Sequence, residues 1–212
     1  MPLQNRVTPF SKIEAVPERG MFIGNRGCIH NDDHTLHKQP WATQRWIVCM
    51  LEYKGIRRKL MQPRRWTELF FLDEAVAFSA GHRPCALCRY QDYRSFIDRW
   101  SQASGSPARA DDLDAALHQE RLGRIRGEAA WPVLVGDLPD GAFVRRPERQ
   151  DSAWLKLNGH LLEWSHAGYV RAEHVPETAM VDLLTPPSTI TVLRAGYRPV
   201  IHPSAERLVS GE

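Results

Sequence analysis

The sequence has few cysteines and no long apolar segment. Only 4 of the 212 residues are cysteine, and no run of about 18 apolar residues occurs that could form a membrane-spanning helix. The stretch from Met1 to Arg6 lacks the apolar region of a secretory signal. We therefore predict a cytoplasmic protein with no membrane partner. Disulfides are not expected, because that compartment is reducing.

Acidic residues are nearly absent from residues 38–65, where Glu52 is the sole acid. The net charge of the whole chain is only +3, which is too small to attract a polyanion by itself. A local group of lysines and arginines can still bind phosphates by releasing their counterions. The residues predicted to contact nucleic acid are Arg45, Lys54, Arg57, Arg58, Lys59, Arg64 and Arg65. Three tryptophans of this region could stack on bases, namely Trp41, Trp46 and Trp66.

The overall composition is that of a globular protein. Hydrophobic residues make up 42% and charged residues 25% of the chain, which allows a folded core and excludes a disordered or collagen-like protein. The run Trp46–Lys54 is apolar and partly β-branched, so we predict a strand that turns at Gly55 into a second strand near Ile56–Met61. The basic residues would lie on this hairpin. A further short strand is predicted at Leu69–Phe71.

Three helices are predicted in the middle of the chain. Asp73 can cap a helix over residues 74–80. Apolar residues recur at three- and four-residue spacing between residues 88 and 100, which predicts a second helix. The polar stretch 101–107 is predicted to be a turn, and a third helix is expected over residues 110–125.

Residues 131–205 alternate short apolar runs with turn sequences. Leu-Pro-Asp-Gly at 138–141 and Leu-Asn-Gly-His at 157–160 are typical of turns between strands. A short helix is expected at Ser188–Ala195. This part of the chain is therefore predicted to be a small β-rich module.

Cys85 and Cys88 form a Cys-x-x-Cys motif. In a reducing compartment this spacing is typical of a metal or redox site, and no thioredoxin-like strand precedes it. Two thiolates on one tight turn can bind the same zinc ion, which then needs two further nitrogen or sulfur ligands. Arg83, Arg89 and the start of a helix favour the thiolate form. The motif therefore predicts a Zn²⁺ site.

The other two zinc ligands must come from elsewhere in the N-terminal half. The candidates are Cys28, His30, His34, His37, Cys49 and His82. Cys49 lies in the strand that would approach the motif, which makes it the expected third ligand. The loop histidines are better explained as exposed residues, and the histidine beside the motif as a residue that stacks in the turn. Cys28 and His30 face the same side of an extended chain, so spacing leaves both open as the fourth ligand.

Two segments carry a resemblance to a known family. Ala80–Arg89 reads Ala-Gly-His-Arg-Pro-Cys-Ala-Leu-Cys-Arg, after the aromatic pair Phe70-Phe71, and resembles the second half of the zinc-binding domain of the Ada DNA-repair protein. Gly24–His30, which reads Gly-Asn-Arg-Gly-Cys-Ile-His, is similar to the opening of a version of that domain that is fused to nucleases. The resemblance covers roughly residues 22–93. It implies the ligand set His30, Cys49, Cys85 and Cys88.

The chain also departs from the Ada pattern. In that family the first two ligands are cysteines close together, and the first accepts a methyl group from a DNA phosphotriester. That position corresponds here to His30, and the gap to Cys49 is much longer, so methyl transfer is not expected. The whole chain also resembles a group of bacterial proteins of unassigned function, through Asn5–Phe10, the Leu-Thr-Pro-Pro at 184–187 and the Ala-Gly-Tyr-Arg-Pro at 195–199. That second resemblance implies no activity.

Together these features predict an α+β fold. The N-terminal half would be a zinc-stapled β-hairpin and helix, followed by a helical middle and a small β-rich C-terminal module. The expected divisions are an Ada-like zinc-binding domain at 1–100, a helical connection at 101–130 and a β-rich domain at 131–212. The expected function is structural zinc binding with a nucleic-acid partner, DNA rather than RNA, on the basic hairpin. No protein partner is indicated.

Two alternative functions remain open at this point. One is an enzyme that processes nucleic acid, a nuclease or a repair transferase, which would use Cys49 or the pair Asp114 and His118. A carboxylate one helical turn from a histidine can orient a general base, although a surface pair on an amphipathic helix explains the same spacing. The other alternative is a protein-interaction module that zinc merely stabilises.

Overall fold

A computed structural model describes residues 1–55, 59–105, 107, 109–127 and 130–210. Within these ranges the chain forms an α+β fold with five α-helices and two six-stranded sheets, which confirms the predicted fold class. No described helix is both long enough and apolar enough to cross a membrane.

The first sheet is built from the N-terminal part of the chain. Its strands are β1 (Arg6–Val7), β2 (Ile13–Glu14), β3 (Phe22–Asn25), β4 (Ile47–Met50), β5 (Leu69–Phe71) and β6 (Arg83–Pro84), in the order β2-β1-β5-β3-β4-β6. Successive residues of a strand face opposite sides of a sheet. Val48 and Phe71 therefore join the main core, whereas Ile23 and Cys49 form a smaller cluster on the other side.

The predicted hairpin that would carry the basic residues is not formed by the described residues. The strand predicted over Trp46–Lys54 is the shorter β4, and residues 59–61 are not in a strand. Ile56, Arg57 and Arg58 lie outside the described residues. β4 instead pairs with β3 on one side and with β6 on the other. Because both edges of β4 are occupied, no backbone groups remain there for a following strand.

The three predicted helices are present as α1 (Glu74–Ser79), α2 (Tyr90–Ser104) and α3 (Ala110–Ile125). The carboxylate of Asp73 accepts a hydrogen bond from the Val76 N–H at 2.9 Å, as expected of the α1 cap. The prediction that a turn begins at residue 101 was wrong, because α2 continues to Ser104. It ends at Gly105, whose φ of 71° is in the left-handed region that glycine adopts readily.

The second sheet confirms the β-rich character of the C-terminal part. Its strands are β7 (Pro132–Leu134), β8 (Phe143–Arg146), β9 (Arg149–Leu157), β10 (His160–Ser165), β11 (Gly168–His174) and β12 (Met180–Leu183), in the order β11-β10-β9-β8-β12-β7. β9 and β10 are joined by Asn158 and Gly159 with φ of 47° and 79°, the conformation of a tight hairpin turn. The chain ends with α4 (Pro187–Arg194) and α5 (Ser204–Val209).

One apolar core contains residues of both sheets and of the helices. In this core the ring centroid of Phe78 in α1 lies 5.1 Å from that of Phe96 in α2 and 5.5 Å from that of Tyr197, which follows α4. The expected divisions at residues 100 and 130 stay a prediction. The shared core means that helices of the middle segment support both sheets.

Candidate metal centre

Three cysteines converge on one side of the first sheet. The sulfur atoms of Cys49, Cys85 and Cys88 all lie within 4.8 Å of one another. Cys49 and Cys85 are buried and Cys88 is partly buried. All four cysteines of the chain are free thiols. Three thiols at this separation could hold a metal ion.

Strand pairing brings the cysteines together. β6 runs parallel to β4, and the Cys85 N–H, just after β6, donates to the Val48 carbonyl at 2.9 Å. Cys85 therefore lies beside Cys49, the next residue of β4. Cys88 follows on a turn closed by the Arg89 N–H, which donates to the Cys85 carbonyl at 3.1 Å. This turn leads directly into α2.

The local hydrogen bonds shift the pKa values of the three thiols in different directions. The Leu87 N–H donates to the Cys85 sulfur at 3.4 Å. Hydrogen bonds from Cys49 and then Cys88 lower the pKa of the Cys85 thiol. The same bond to Cys85 raises the pKa of Cys49. The shared hydrogen bonds thus favour a thiolate at Cys85 and protonated thiols at Cys49 and Cys88, whose pKa values are both raised.

His30, the histidine implied by the Ada resemblance, is not part of the group of three sulfur atoms. Its imidazole is 4% exposed, and its Nδ1 lies 2.6 Å from the hydroxyl of Thr67. Its Nε2 is buried and has no hydrogen-bond partner among the described residues. Thr67 follows Trp66, which packs against the cysteine cluster. His30 is therefore tied to the segment that borders the three thiols, with one ring nitrogen unused.

The remaining ligand candidates, Cys28, His34, His37 and His82, also lie outside the three-cysteine group. Cys28 lies with its sulfur 3.9 Å from the His30 carbonyl oxygen. His34 and His37 are exposed. His82 is fully buried, with ring centroids 5.2 Å from Trp46 and 4.7 Å from Phe71. The His82 ring is thus tilted against Trp46 and edge-on to Phe71, so it packs between these two side chains and is not stacked in the turn.

The predicted nucleic-acid contacts fall into three groups. Arg45 is exposed and pairs with Asp111 of α3 at 3.1 Å. Arg57 and Arg58 lie outside the described residues. The other members are exposed and have no carboxylate within 4.0 Å in the part of the chain that the structure describes; they are Lys54, Lys59, Arg64 and Arg65. These four cations are the ones available to a polyanion.

The tryptophans predicted to stack on bases differ in exposure. Trp41 and Trp66 are partly exposed, but Trp46 is 1% exposed. The guanidinium carbons of Arg26 and Arg121 lie 4.0 and 4.1 Å from the centre of its ring. The prediction for Trp46 was therefore wrong, because two buried arginines occupy the surfaces that a base would need.

The residues of the enzymatic alternative are engaged in other contacts. Both carboxylate oxygens of Asp114 accept hydrogen bonds from Arg83, at 2.8 and 2.7 Å. His118 instead has its Nδ1 3.5 Å from a guanidinium nitrogen of Arg121. Cys49 is 4% exposed. Asp114 thus anchors Arg83, two residues before Cys85, and it does not orient His118.

Two buried ion pairs flank the cysteine turn, and neither was predicted from the sequence. Arg83 pairs with Asp114, and Arg89 pairs with Glu74 at 2.6 Å. The sequence shows two arginines beside the cysteines, which indicated only local positive charge. Their acidic partners could have been suspected from their apolar neighbours, since Asp114 follows the buried Leu113 and Glu74 precedes the buried Ala75.

Comparisons with protein-family models, with curated protein sequences and with solved structures found no match.

Proposed function

We propose that this protein binds one structural zinc ion through Cys49, Cys85, Cys88 and His30. The observation that carries the proposal is the convergence of three thiols within 4.8 Å. Zinc with three sulfur ligands and one nitrogen ligand is a common closed structural site. The Nε2 of His30, which is buried and has no hydrogen-bond partner among the described residues, supports the choice of His30 as the fourth ligand. Metal-bound histidines usually donate their other ring N–H to a nearby acceptor, and the Thr67 hydroxyl is placed to receive it.

In this proposal zinc supplies stability and no reaction. The four ligands come from the segment after β3, from β4 and from the turn before α2. Binding one ion would therefore join three parts of the chain that are distant in sequence. A closed site of this type contributes on the order of 10 kcal/mol to folding at neutral pH. We also propose, from the sequence resemblance, that this segment is related to the Ada zinc-binding domain.

Cobalt substitution tests the ligand set. Co²⁺ bound to three thiolates and one imidazole gives intense sulfur-to-metal absorption and the visible bands of a tetrahedral ion. We expect this spectrum in the wild type, a changed visible spectrum in His30→Ala, and loss of binding in Cys85→Ser. Cys28→Ser is the matched control and should leave the spectrum unchanged. A spectrum that changes in Cys28→Ser but not in His30→Ala would assign the fourth position to Cys28.

The second part of the proposal is a nucleic-acid partner. Lys54, Lys59, Arg64 and Arg65 are exposed, and no carboxylate neutralises them among the described residues. The segment that carries them follows Cys49 directly, so the metal site would anchor one end of it. Cations in such a segment bind phosphates by releasing counterions. The Ada resemblance favours DNA over RNA.

Fluorescence anisotropy with a labelled DNA duplex, and with an RNA of the same sequence, tests this partner. Neutralising Lys54, Arg64 and Arg65 together to glutamine should weaken binding and reduce the magnitude of the salt slope by about 2 to 3, close to 0.9 for each lost phosphate contact. Arg94→Gln is the control, because this exposed arginine already pairs with Asp98. An unchanged salt slope in the triple variant would remove this segment from nucleic-acid binding.

A further inference from the structure

Four large apolar side chains are exposed around the three cysteines of the metal centre. Met50 and Leu51 directly follow Cys49 in the chain, and each is 43% exposed. Leu87 lies inside the Cys-x-x-Cys turn and is 68% exposed, and Tyr90, the first residue of α2, is 59% exposed. Each of them is within two positions of a cysteine whose sulfur lies within 4.8 Å of the other two. The four side chains therefore share one region of the surface, the apolar patch, and such clusters commonly mark interaction sites.

Two arginines are tied to the same region by Trp66. The ring of Trp66 is partly buried and packs against the cluster that contains Cys49 and Cys85. Arg64 and Arg65 immediately precede it and are exposed. Neither has a carboxylate within 4.0 Å among the residues that the structure describes. Exposed apolar groups and unneutralised cations thus lie on either side of the same three sulfur atoms.

The charge of this region is positive. The sequence of residues 50–66 contains six lysines and arginines and one acid, the exposed Glu52. The buried Glu68 offsets one more of these cations. On the other side of the apolar patch two carboxylates share the guanidinium of Arg89, which leaves one excess negative charge there. Three uncompensated carboxylates therefore face six cations, and a surplus of positive charge remains.

This combination of groups matches the chemistry of a single-stranded nucleic acid. The phosphates of a single strand pair with arginines, and its unstacked bases present flat faces that pack on aromatic and apolar side chains. A duplex keeps those faces inside its base stack, so it would contact the cations and leave the apolar patch in water. The exposed ring of Tyr90 is the group best suited to stack on a base, because only its edges are held by neighbours in α2.

We propose that the apolar patch, with Arg64 and Arg65, binds single-stranded nucleic acid. A base would stack on Tyr90 and pack against Leu87, and the adjoining phosphates would accept hydrogen bonds from the two arginines. This inference rests on the nucleic-acid partner proposed above and specifies which form of nucleic acid is bound. The metal site would fix the separation between the end of β4 and the Cys-x-x-Cys turn, on which the surface depends.

Fluorescence anisotropy of the full chain tests the inference with a labelled single strand of mixed sequence and with the same strand annealed to its complement. We expect the single strand to bind about tenfold more tightly than the duplex at equal salt, since one stacked base contributes roughly that factor. A duplex that binds equally well or better would overturn the inference and leave the proposed nucleic-acid partner in place. No binding of either form at low salt would overturn both.

Variants of the apolar patch separate base stacking from phosphate contacts. Tyr90→Ala should weaken single-strand binding about tenfold, Leu87→Ser should weaken it less, and both should leave duplex binding and the zinc content unchanged. Val170→Ser is the matched control, because Val170 is 57% exposed but lies in β11 of the second sheet. Single-strand affinities within twofold of the wild type in both patch variants would contradict the proposed site.

Discussion

The buried ion pair between Arg83 and Asp114 should be a main contributor to the stability of the turn that carries Cys85 and Cys88. Arg83 is 5% and Asp114 2% exposed, and two short hydrogen bonds join them. In Asp114→Ala the Arg83 guanidinium would keep the Pro84 carbonyl at 3.1 Å and the ring of Tyr93 at 5.4 Å. Neither neutralises its charge. Removing one partner of a buried pair costs about 3 to 5 kcal/mol, and we expect a loss in this range.

Urea unfolding, followed by tryptophan fluorescence with zinc in excess, measures this loss. Asp111→Ala is the matched control on the same helix, because Asp111 and its partner Arg45 are exposed. An exposed pair contributes about 0 to 1 kcal/mol. Replacing both buried partners, as in Arg83→Met with Asp114→Leu, should recover part of the loss. Equal free energies of unfolding for the two single alanine variants would refute the reasoning.

Three further predictions concern other parts of the fold. Gly159→Ala should cost about 1 to 2 kcal/mol from backbone strain alone, because Gly159 has a φ of 79° and free space around it; thermal unfolding measures this. Tyr197→Phe should cost about 1.5 to 3 kcal/mol in urea unfolding, because the Tyr197 hydroxyl donates to the buried Glu74 at 2.9 Å. Burial, with Arg26 and Arg121, lowers the pKa of His82. The unfolded chain therefore takes up a proton that folded His82 refuses, so stability should fall by up to about 1.4 kcal/mol per pH unit below about pH 6.5. His82→Phe should lack that part of the slope, and equal slopes would contradict it.

Features that depend on neighbouring residues were predicted well from the sequence. The cap at Asp73, the bounds of α3 and the turn at Asn158 and Gly159 all follow from local chemistry. The end of α2 was missed because Ser101–Ser104 tolerates both a helix and a turn, and Gly105 decides the outcome.

Features that depend on distant pairing were harder to predict. The sequence predicted that β4 forms a hairpin with the next segment. Its partners are instead β3 and β6, and no local pattern in the sequence indicates that pairing. The convergence of Cys49 with the Cys-x-x-Cys turn was predicted because the motif needs further ligands and Cys49 lies in a strand that was expected to approach it. The contact of His30 with Thr67, 37 residues away, leaves no pattern in the sequence.

The amount of zinc per chain tests the central claim most directly. Elemental mass spectrometry measures the zinc content of the purified wild type and of four variants, Cys49→Ser, Cys85→Ser, His30→Ala and Cys28→Ser. The account predicts close to one zinc in the wild type and in Cys28→Ser, and a large loss in the other three variants. A folded wild type that neither carries zinc nor takes it up when zinc is added would contradict it.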